Sequence, residues 1–439
     1  MKTPIFDFVK SYNDGKTVRF HMPGHKGVSS LGCEGYDITE ISGADVLYSA
    51  DGIIDESERN LSALYGTEHS FYSTQGSTLA IFAMLRLVSE RDGEERPLIL
   101  AARNVHTAFI KAVALLDIDV EWIYPKVQEH LCSCNITPAD LEGVLSKLDR
   151  KPTAVYITSP DYLGNTLDIS ALAAVCRAFD IPLLVDNAHG AYLKFLEKDS
   201  HPITLGAAMC SDSAHKTLPV LTGGAYMHIS KDFAHFARNA RGALSLFASS
   251  SPSYLTLCSL DLCNARLASD YPDKIKATAA KTAELKRYIR ALGIAVCESE
   301  PLKIVVGAGE WLAEQLRKEG IECEFSDSEY TVLMLTPENS ERDFERLKNA
   351  FEKLAIEEKS EITTKRQQIL PHESAMTVRN AIFAPSERIS ATDAKGRVCA
   401  LPTVSCPPAV PIVVSGERIT DADVSLFKYY GVDFVDVVI

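Results

Sequence analysis

The alternation of short apolar runs with amphipathic segments between about residues 60 and 230 constrains the fold more than any other feature of the sequence. The apolar runs are PLILAA (97–102), VEWIYP (120–125), AVYITSP (154–160), PLLVDNA (182–188) and GGAYMHI (223–229). Helical patterns lie between them, for example at 77–93 and 169–180. Strands that alternate with helices predict an α/β domain with a mostly parallel sheet, whose ligand sites lie at the carboxyl ends of the strands.

The rest of the chain indicates further segments. A polar, helix-forming stretch at 273–293 leads into weaker strand and helix patterns, which predict a second, smaller α/β domain. The proline-rich tail at 401–419 cannot supply central strands or helix interiors, so we expect irregular structure there. The predicted organisation is an N-terminal segment (1–55), a large domain (56–270), a small α/β domain (271–365) and a reduced C-terminal region (366–439).

Composition and charge exclude several classes of protein. The 439 residues are 46% hydrophobic and 24% charged, which is ordinary for a soluble globular protein. No stretch reaches the roughly 18 uninterrupted apolar residues of a membrane span, and the first residues carry an acid and aromatic side chains where a signal peptide needs an apolar run. The net charge of -14 opposes binding to nucleic acid. We expect a cytoplasmic protein that contacts neither nucleic acid nor membrane.

The cysteines and the first histidines do not predict a metal site. The 11 cysteines are scattered, and the tight pair Cys132 and Cys134 lacks the spacing of a zinc motif. Free cysteine behaves as a small hydrophobe, so we expect unpaired, mostly buried thiols. His21 and His25 have the spacing of a metal pair, but a proline and a glycine between them break a helix.

Lys216 gains meaning from a carboxylate upstream of it. Taken alone, a lysine in the motif SDSAHKTL would be a solvated surface residue. The apolar run PLLV, however, leads directly into Asp186, and a carboxylate at the end of a buried strand is costly unless it meets a cation. A pyridinium nitrogen is such a cation, and an acidic partner keeps it protonated.

A third motif supplies a candidate phosphate site. In STQGSTLAIFAML (73–85), a turn at Gly76 is followed by Ser77 and Thr78, which open a long apolar helix. Backbone N–H groups and hydroxyls at a helix N-terminus bind phosphate, although the two residues could also be a plain helix cap. Phosphate site, Asp186 and Lys216 together follow the chain order of fold-type-I pyridoxal-phosphate enzymes, which are similar to aspartate aminotransferase.

Further motifs resemble those of the Orn/Lys/Arg decarboxylase family. FHMPGHKG (20–27) is similar to the FHTPGHKG signature of that family, and the segment 36–54 resembles the one that follows it there. The likeness continues through ARNVHTAF (102–109), TSPDYLGNTLDI (158–169) and CPPAVPIVVSGERI (406–419). It covers most of the chain and matches the short form of the family, without the N-terminal wing and most of the C-terminal domain of its larger members.

The resemblance implies roles for individual residues. Those expected to act in catalysis or to hold pyridoxal 5'-phosphate are Lys216 as the Schiff-base lysine, Asp186 at the pyridine nitrogen, His106 on the ring face, Gly76, Ser77, Thr78 and Ser213 at the phosphate, and His189 and His215 close to the cofactor. His106 could instead only begin a helix, and His189 could be a satisfied turn residue. His215 or Lys216 would return the proton to the α-carbon.

The segment ASSSPSY (248–254) resembles the stretch by which a neighbouring subunit reaches the phosphate in this family. The resemblance implies a homodimer or a higher homo-oligomer with shared active sites, in which Ser250 contacts the cofactor. Ser249 and Ser251 are equally eligible, and a solvated loop is the alternative.

The resulting functional prediction is decarboxylation of a basic amino acid, arginine, lysine or ornithine, to the amine and carbon dioxide, with arginine and lysine as the leading candidates. An aminotransferase is one alternative, for which Arg379, Arg388 or Arg397 would hold the substrate carboxylate; a catalytically idle regulatory homologue is another. Asn187, where many relatives have glutamate, and Cys406, where relatives often have tyrosine, are expected to alter the pocket.

Overall fold

The computed structural model describes residues 1–90, 95–126, 130–357, 369–403 and 409–439. These residues form two compact units: unit 1 comprises Met1–Val88 and Pro182–Lys276, and unit 2 comprises Ser89–Ile181 and Ala277–Ile439. The α-helices are α1 (Pro4–Asp14), α2 (Ile53–Tyr65), α3 (Gly76–Val88), α4 (Thr107–Leu116), α5 (Pro138–Leu145), α6 (Ile169–Ala178), α7 (Ala214–Thr217), α8 (Ala237–Ser245), α9 (Tyr254–Leu267), α10 (Tyr271–Ala291), α11 (Gly309–Lys318), α12 (Glu341–Glu357), α13 (Val378–Phe383) and α14 (Asp421–Tyr429). The strands are β1 (His69–Ser73), β2 (Leu98–Ala102), β3 (Asp119–Ile123), β4 (Ala154–Thr158), β5 (Leu183–Asp186), β6 (Met209–Asp212), β7 (Ala225–Ile229), β8 (Lys303–Val306), β9 (Phe325–Ser326), β10 (Thr331–Met334), β11 (Ser386–Ser390) and β12 (Phe434–Val438).

In unit 1, strands β1, β7, β6 and β5 lie side by side in that order. The pairs β1–β7 and β6–β7 are antiparallel, whereas β5 and β6 are parallel, with Asp186 opposite Ser211. Strands β5, β6 and β7 are buried along their whole length. The carboxyl ends of β5 and β6 therefore lie at the same edge of the sheet.

In unit 2, β4, β2 and β3 pair in parallel, and the wholly buried sequence LILAA of β2 is typical of a strand covered on both faces. Each of the five apolar runs predicted as strands contains one: β2, β3, β4, β5 and β7. Strand β7 runs antiparallel to its neighbour β6, which agrees with the predicted mostly parallel sheet.

Unit 2 also contains two smaller sheets. Strands β8, β10 and β9 pair antiparallel, and their apolar side chains pack with those of α11 and α12. Strands β11 and β12 form an antiparallel pair beside α14. The domain boundaries predicted at 55 and 270 stay predictions, and the one at 365 lies outside the described residues. None of the described helices combines the length and the hydropathy needed to cross a membrane.

A buried arginine fixes the proline-rich tail. Within the described residues 401–403 and 409–419 the tail forms turns and isolated bridges and, as predicted, no helix or strand. Arg103, which follows β2 and is fully buried, donates to the carbonyls of Pro411 and Ile412, each at 2.9 Å. Its guanidinium also lies 3.4 Å from the carboxylate of Glu417. One planar cation thus adds side-chain hydrogen bonds to the isolated backbone bridges of this segment.

We expect Arg103→Met to lower the free energy of unfolding by about 3 to 5 kcal/mol, because Glu417 would be left buried without its cation. The measurement is urea denaturation followed by circular dichroism. Arg342→Met, at an exposed position of α12, is the control and should leave the transition midpoint unchanged. Equal losses in the two variants would contradict a special role for Arg103.

Candidate active site

The site begins with a carboxylate at the end of β5. Asp186 is 2% exposed, and its Oδ1 accepts a hydrogen bond from the N–H of Ala188 at 3.2 Å. Because a buried carboxylate is destabilising without compensating donors or charges, this strand end is suited to a cationic ligand. Asp186 therefore occupies the position that the sequence predicted, at the carboxyl end of a buried parallel strand.

The turn after β5 contains a histidine that lies next to the predicted Schiff-base lysine. His189 is buried, and its Nε2 lies 3.2 Å from the Nζ of Lys216. The turn is closed by a hydrogen bond from the N–H of Gly190 to the carbonyl of Asn187 at 2.8 Å. A Cβ on Gly190 would lie only 2.0 Å from Asn187 Oδ1, so the turn requires glycine there.

Two predicted phosphate ligands also meet. Ser213, just after β6, donates its hydroxyl hydrogen to the Oγ of Ser77 at 2.8 Å. Gly76 begins α3 with a φ of +71°, a conformation that favours glycine, and its N–H donates to the carbonyl of Gly223. No atom lies within 4 Å of a Cβ built on Gly76, so the space beside the helix start is open. Thr78 is exposed at the same helix terminus.

The backbone and the side chain of His215 both contact one carbonyl oxygen. Its backbone N–H donates to the carbonyl of Gly224 at 3.1 Å, and its Nδ1 lies 3.0 Å from the same oxygen. Burial lowers the pKa of His215 below its usual value of 6.5; the hydrogen bond to Gly224 opposes the shift, and the charge of Lys216 adds to it. The imidazole is therefore neutral near pH 7.

A further carboxylate, which the sequence does not predict, is buried next to these residues. Asp212, at the end of β6, is fully buried; its Oδ2 lies 2.9 Å from His201 Nε2 and 3.3 Å from His228 Nε2. Its Oδ1 accepts a hydrogen bond from Asn187 Nδ2 at 2.7 Å. The sequence MCSD of β6 has no apolar run of useful length, so neither the strand nor its terminal carboxylate was recognised.

Asn187, the first departure from the family pattern, has a fully buried side chain, and its expected effect on the pocket stays a prediction. Its side chain is fully buried against Asp212, and its N–H donates to the carbonyl of Ser211 at 2.9 Å. This departure from the family pattern therefore contacts Asp212 directly, and its Oδ1 also lies close to the position that a Cβ on Gly190 would take. The second departure, Cys406, lies outside the described residues.

Two further predicted residues belong to other segments of the chain. His106 belongs to unit 2, where it is the N-cap of α4 and its Nδ1 accepts a hydrogen bond from the N–H of Ala108 at 3.1 Å. The interpretation of His106 as a helix-start residue is confirmed, and its contact with a cofactor stays a prediction. Ser250 is exposed between α8 and α9. The choice among Ser250, Ser249 and Ser251 also stays a prediction.

Possible metal ligands occur in two groups among the described residues, although the sequence predicts no metal site. These groups are His201, Cys210 and Asp212, and Asp55, Glu58 and His69. In the first, the 2.9 Å between His201 and Asp212 is a hydrogen-bond distance. In the second, Glu58 is paired with Arg241 at 2.7 Å. The ten cysteines of the described residues form no disulfides with one another and seven are buried, in line with the predicted mostly buried thiols.

Comparison with known proteins assigns the family. The family model for the Orn/Lys/Arg decarboxylase major domain matches residues 3–306, and that for the C-terminal domain matches 354–432. The chain belongs to the Orn/Lys/Arg decarboxylase family. Two arginine decarboxylases, from Bacillus subtilis (strain 168) and Halalkalibacterium halodurans, are each 28% identical to this Orn/Lys/Arg decarboxylase family member, covering 97% of it and 93% of their own lengths. The predicted amino acid decarboxylase is confirmed at the level of the family.

Solved structures confirm the fold class. A lysine decarboxylase of Francisella novicida superimposes with a TM-score of 0.82 at 15% identity and covers 100% of this chain and 81% of its own. A serine palmitoyltransferase of Sphingomonas wittichii has a TM-score of 0.54 at 17% identity, with 68% and 74% of the two chains covered. The fold is therefore α/β of the fold-type-I class.

The neutral state of His215 can be tested in the cofactor-free protein. We expect Lys216→Met to raise the pKa of His215 only part of the way toward 6.5, because the lysine charge is removed while burial, the larger cause, remains. The measurement is a pH titration of carbon-13-labelled histidines by NMR, with the His215 resonance assigned from His215→Gln. Lys231→Met, at an exposed lysine of unit 1, should leave the titration unchanged. A native His215 midpoint above 6.5 would contradict the expectation.

Proposed function

We propose that this family member is a pyridoxal-phosphate-dependent decarboxylase of a basic amino acid, with arginine as the first candidate substrate. The observation that supports it best is the 3.2 Å approach of Lys216 Nζ to His189, in a turn that begins at Asp186. The name of the relatives that match the chain almost end to end supports arginine.

The chemistry of the side chains suits pyridoxal phosphate. A primary amine at Lys216 can form a Schiff base, and the buried carboxylate of Asp186 suits a protonated pyridine nitrogen. The hydroxyls of Ser77 and Ser213 and the backbone N–H groups of the first turn of α3 suit a phosphate. Amine, carboxylate and phosphate donors all belong to unit 1. The group, when bound, supplies an electron sink for the bond to the carboxylate.

The protein's own residues then have separable roles. Lys216 would hold the cofactor and yield its place to the substrate amine, and His189 can exchange a proton with its Nζ. Asp186 would keep its negative charge against the ring nitrogen. His215, neutral at pH 7, or Lys216 would return a proton to the carbon that has lost its carboxylate. By the family resemblance, His106 would stack on the ring.

The remaining parts of the proposal rest on family resemblance. Ser250 of a second copy would reach the phosphate, which makes a homodimer the smallest functional assembly. The protein would act in the cytoplasm on a small-molecule substrate. The side chain that recognises the distal guanidinium or ammonium of the substrate belongs to no residue assigned above.

The activity test offers the purified, cofactor-loaded protein arginine, lysine and ornithine separately. We expect carbon dioxide and the matching amine, fastest with arginine, and no product from Lys216→Ala. Lys231→Ala, at an exposed lysine of the same unit, is the control and should retain activity. A keto acid formed only with an added amino acceptor would indicate an aminotransferase instead. Bound cofactor without turnover of any of the three would favour an idle homologue.

The phosphate site can be tested by affinity alone. We expect Ser77→Ala and Ser213→Ala each to weaken cofactor binding about 10- to 100-fold, the usual range for a hydrogen bond to a charged group. Equilibrium dialysis gives the dissociation constant, and inorganic phosphate should compete with the cofactor in the parent protein. Ser245→Ala, at the exposed end of α8, is the matched control. Unchanged affinity in both site variants would remove these serines from the proposed site.

A further inference from the structure

The two segments that carry the proposed site meet at one buried side chain. Asp212 precedes Ser213 directly and Lys216 by four residues, so it belongs to the β6 end of the site. Through Oδ1 it accepts the amide hydrogen of Asn187 at 2.7 Å, and Asn187 is the residue after Asp186. A single carboxylate therefore connects the end of β6 with the turn after β5.

The opposite side of this carboxylate is compensated by two histidines. His201 Nε2 and His228 Nε2 lie 2.9 and 3.3 Å from Asp212 Oδ2, and the three side chains are fully buried. Burial acts to raise the pKa of Asp212, but the two imidazoles outweigh it and hold the pKa below its usual value. Burial also lowers the pKa of His228 below 6.5, although the charge of Asp212 opposes that shift, so His201 is the stronger candidate for a charged partner. His228 is itself anchored, with Nδ1 2.7 Å from the hydroxyl of Ser70. The carboxylate is ionised and has a fixed orientation.

The residue at position 187 lies against the negative charge of Asp212 and therefore has to be a hydrogen-bond donor. Asn187 presents an amide N–H to Asp212 Oδ1, whereas a carboxylate at position 187 would place two buried like charges at hydrogen-bond distance. The same side chain shapes the turn, since its Oδ1 lies where a Cβ on Gly190 would be. The turn in question holds Asp186 at one end and His189 near the other.

We infer that Asp212, Asn187, His201 and His228 form a buried positioning network that sets the geometry of Asp186 and His189 relative to Lys216. The inference rests on the proposed function for its consequence in catalysis, but not for the network itself. Asp212 is a positioning residue, since it acts through Asn187 and through the chain that leads to Lys216. Its role is to hold the carboxylate of Asp186 and the amine of Lys216 at a fixed distance and orientation to each other.

The experiment compares Asp212→Asn, Asn187→Asp and the double variant that exchanges the two groups. Each single variant should weaken cofactor binding by about 10-fold or more, change the visible absorbance of the bound cofactor, and lower kcat more than it raises KM. The exchange restores one amide and one carboxylate, so the double variant should recover part of the loss. Asp232→Asn, an exposed carboxylate of the same unit, is the control.

A second readout needs no cofactor. In the cofactor-free protein, the rate at which an amine-reactive reagent labels Lys216, followed by mass spectrometry of its peptide, should change in Asp212→Asn while that of exposed Lys231 stays constant. If Asp212→Asn does not fold, Asn187→Ala, which removes only the link to the turn, must give the same shift. A parent protein that fails to bind the cofactor would overturn the proposed function alone, since labelling still tests the network.

The inference is overturned if Asp212→Asn and Asn187→Ala leave cofactor affinity, visible absorbance and Lys216 labelling as in the parent. It is equally overturned if the effects of the two exchanged positions simply add in the double variant. A stoichiometric metal ion that is lost with Asp212→Asn would also contradict it, because His201 and Asp212 would then be ligands rather than hydrogen-bond partners.

Discussion

Two buried carboxylates at the ends of neighbouring parallel strands impose the strongest constraint on unit 1. Asp186 ends β5 and Asp212 ends β6, and both are at most 2% exposed. A charge in such a position needs partners from other parts of the chain. Asp212 finds them in two histidines and Asn187, and Asp186 accepts the N–H of Ala188 at the carboxyl edge of the strands, where ligands bind in open α/β sheets.

The sequence predicts those parts of the fold that local pattern determines. Wholly apolar runs report burial on both faces, which is why β2, β4 and β5 are recognisable without a structure. The sequences HSFYS of β1 and MCSD of β6 are also largely buried but contain polar residues, and no local signal marks them. Some of these polar atoms pair with residues from other segments, for example Ser70 with His228, and such pairing is a property of tertiary structure.

The C-terminal tail also depends on a contact between distant parts of the chain that local sequence does not reveal. Its prolines exclude regular elements, and that exclusion is readable from the sequence. The position of the tail depends instead on Arg103, more than 300 residues away, whose guanidinium satisfies the carbonyls of Pro411 and Ile412. Because the motif that contains Arg103 also contains His106, the same short segment holds the tail and begins α4. In unit 2, one short segment therefore contains both Arg103, which binds the tail by hydrogen bonds, and His106, a proposed cofactor residue.

Asn187 illustrates how a departure from a family pattern can be misread. Because Asn187 is adjacent to Asp186, a role in substrate choice is an obvious interpretation. Its amide, however, is buried and donates a hydrogen bond to the carboxylate of Asp212. Discrimination among arginine, lysine and ornithine has a different requirement, namely a carboxylate or carbonyl that distinguishes a planar guanidinium from a compact ammonium at the far end of the substrate. The observed partner of the Asn187 amide is Asp212, so a buried hydrogen bond couples position 187 to position 212, and an effect of Asn187 on substrate choice stays a prediction.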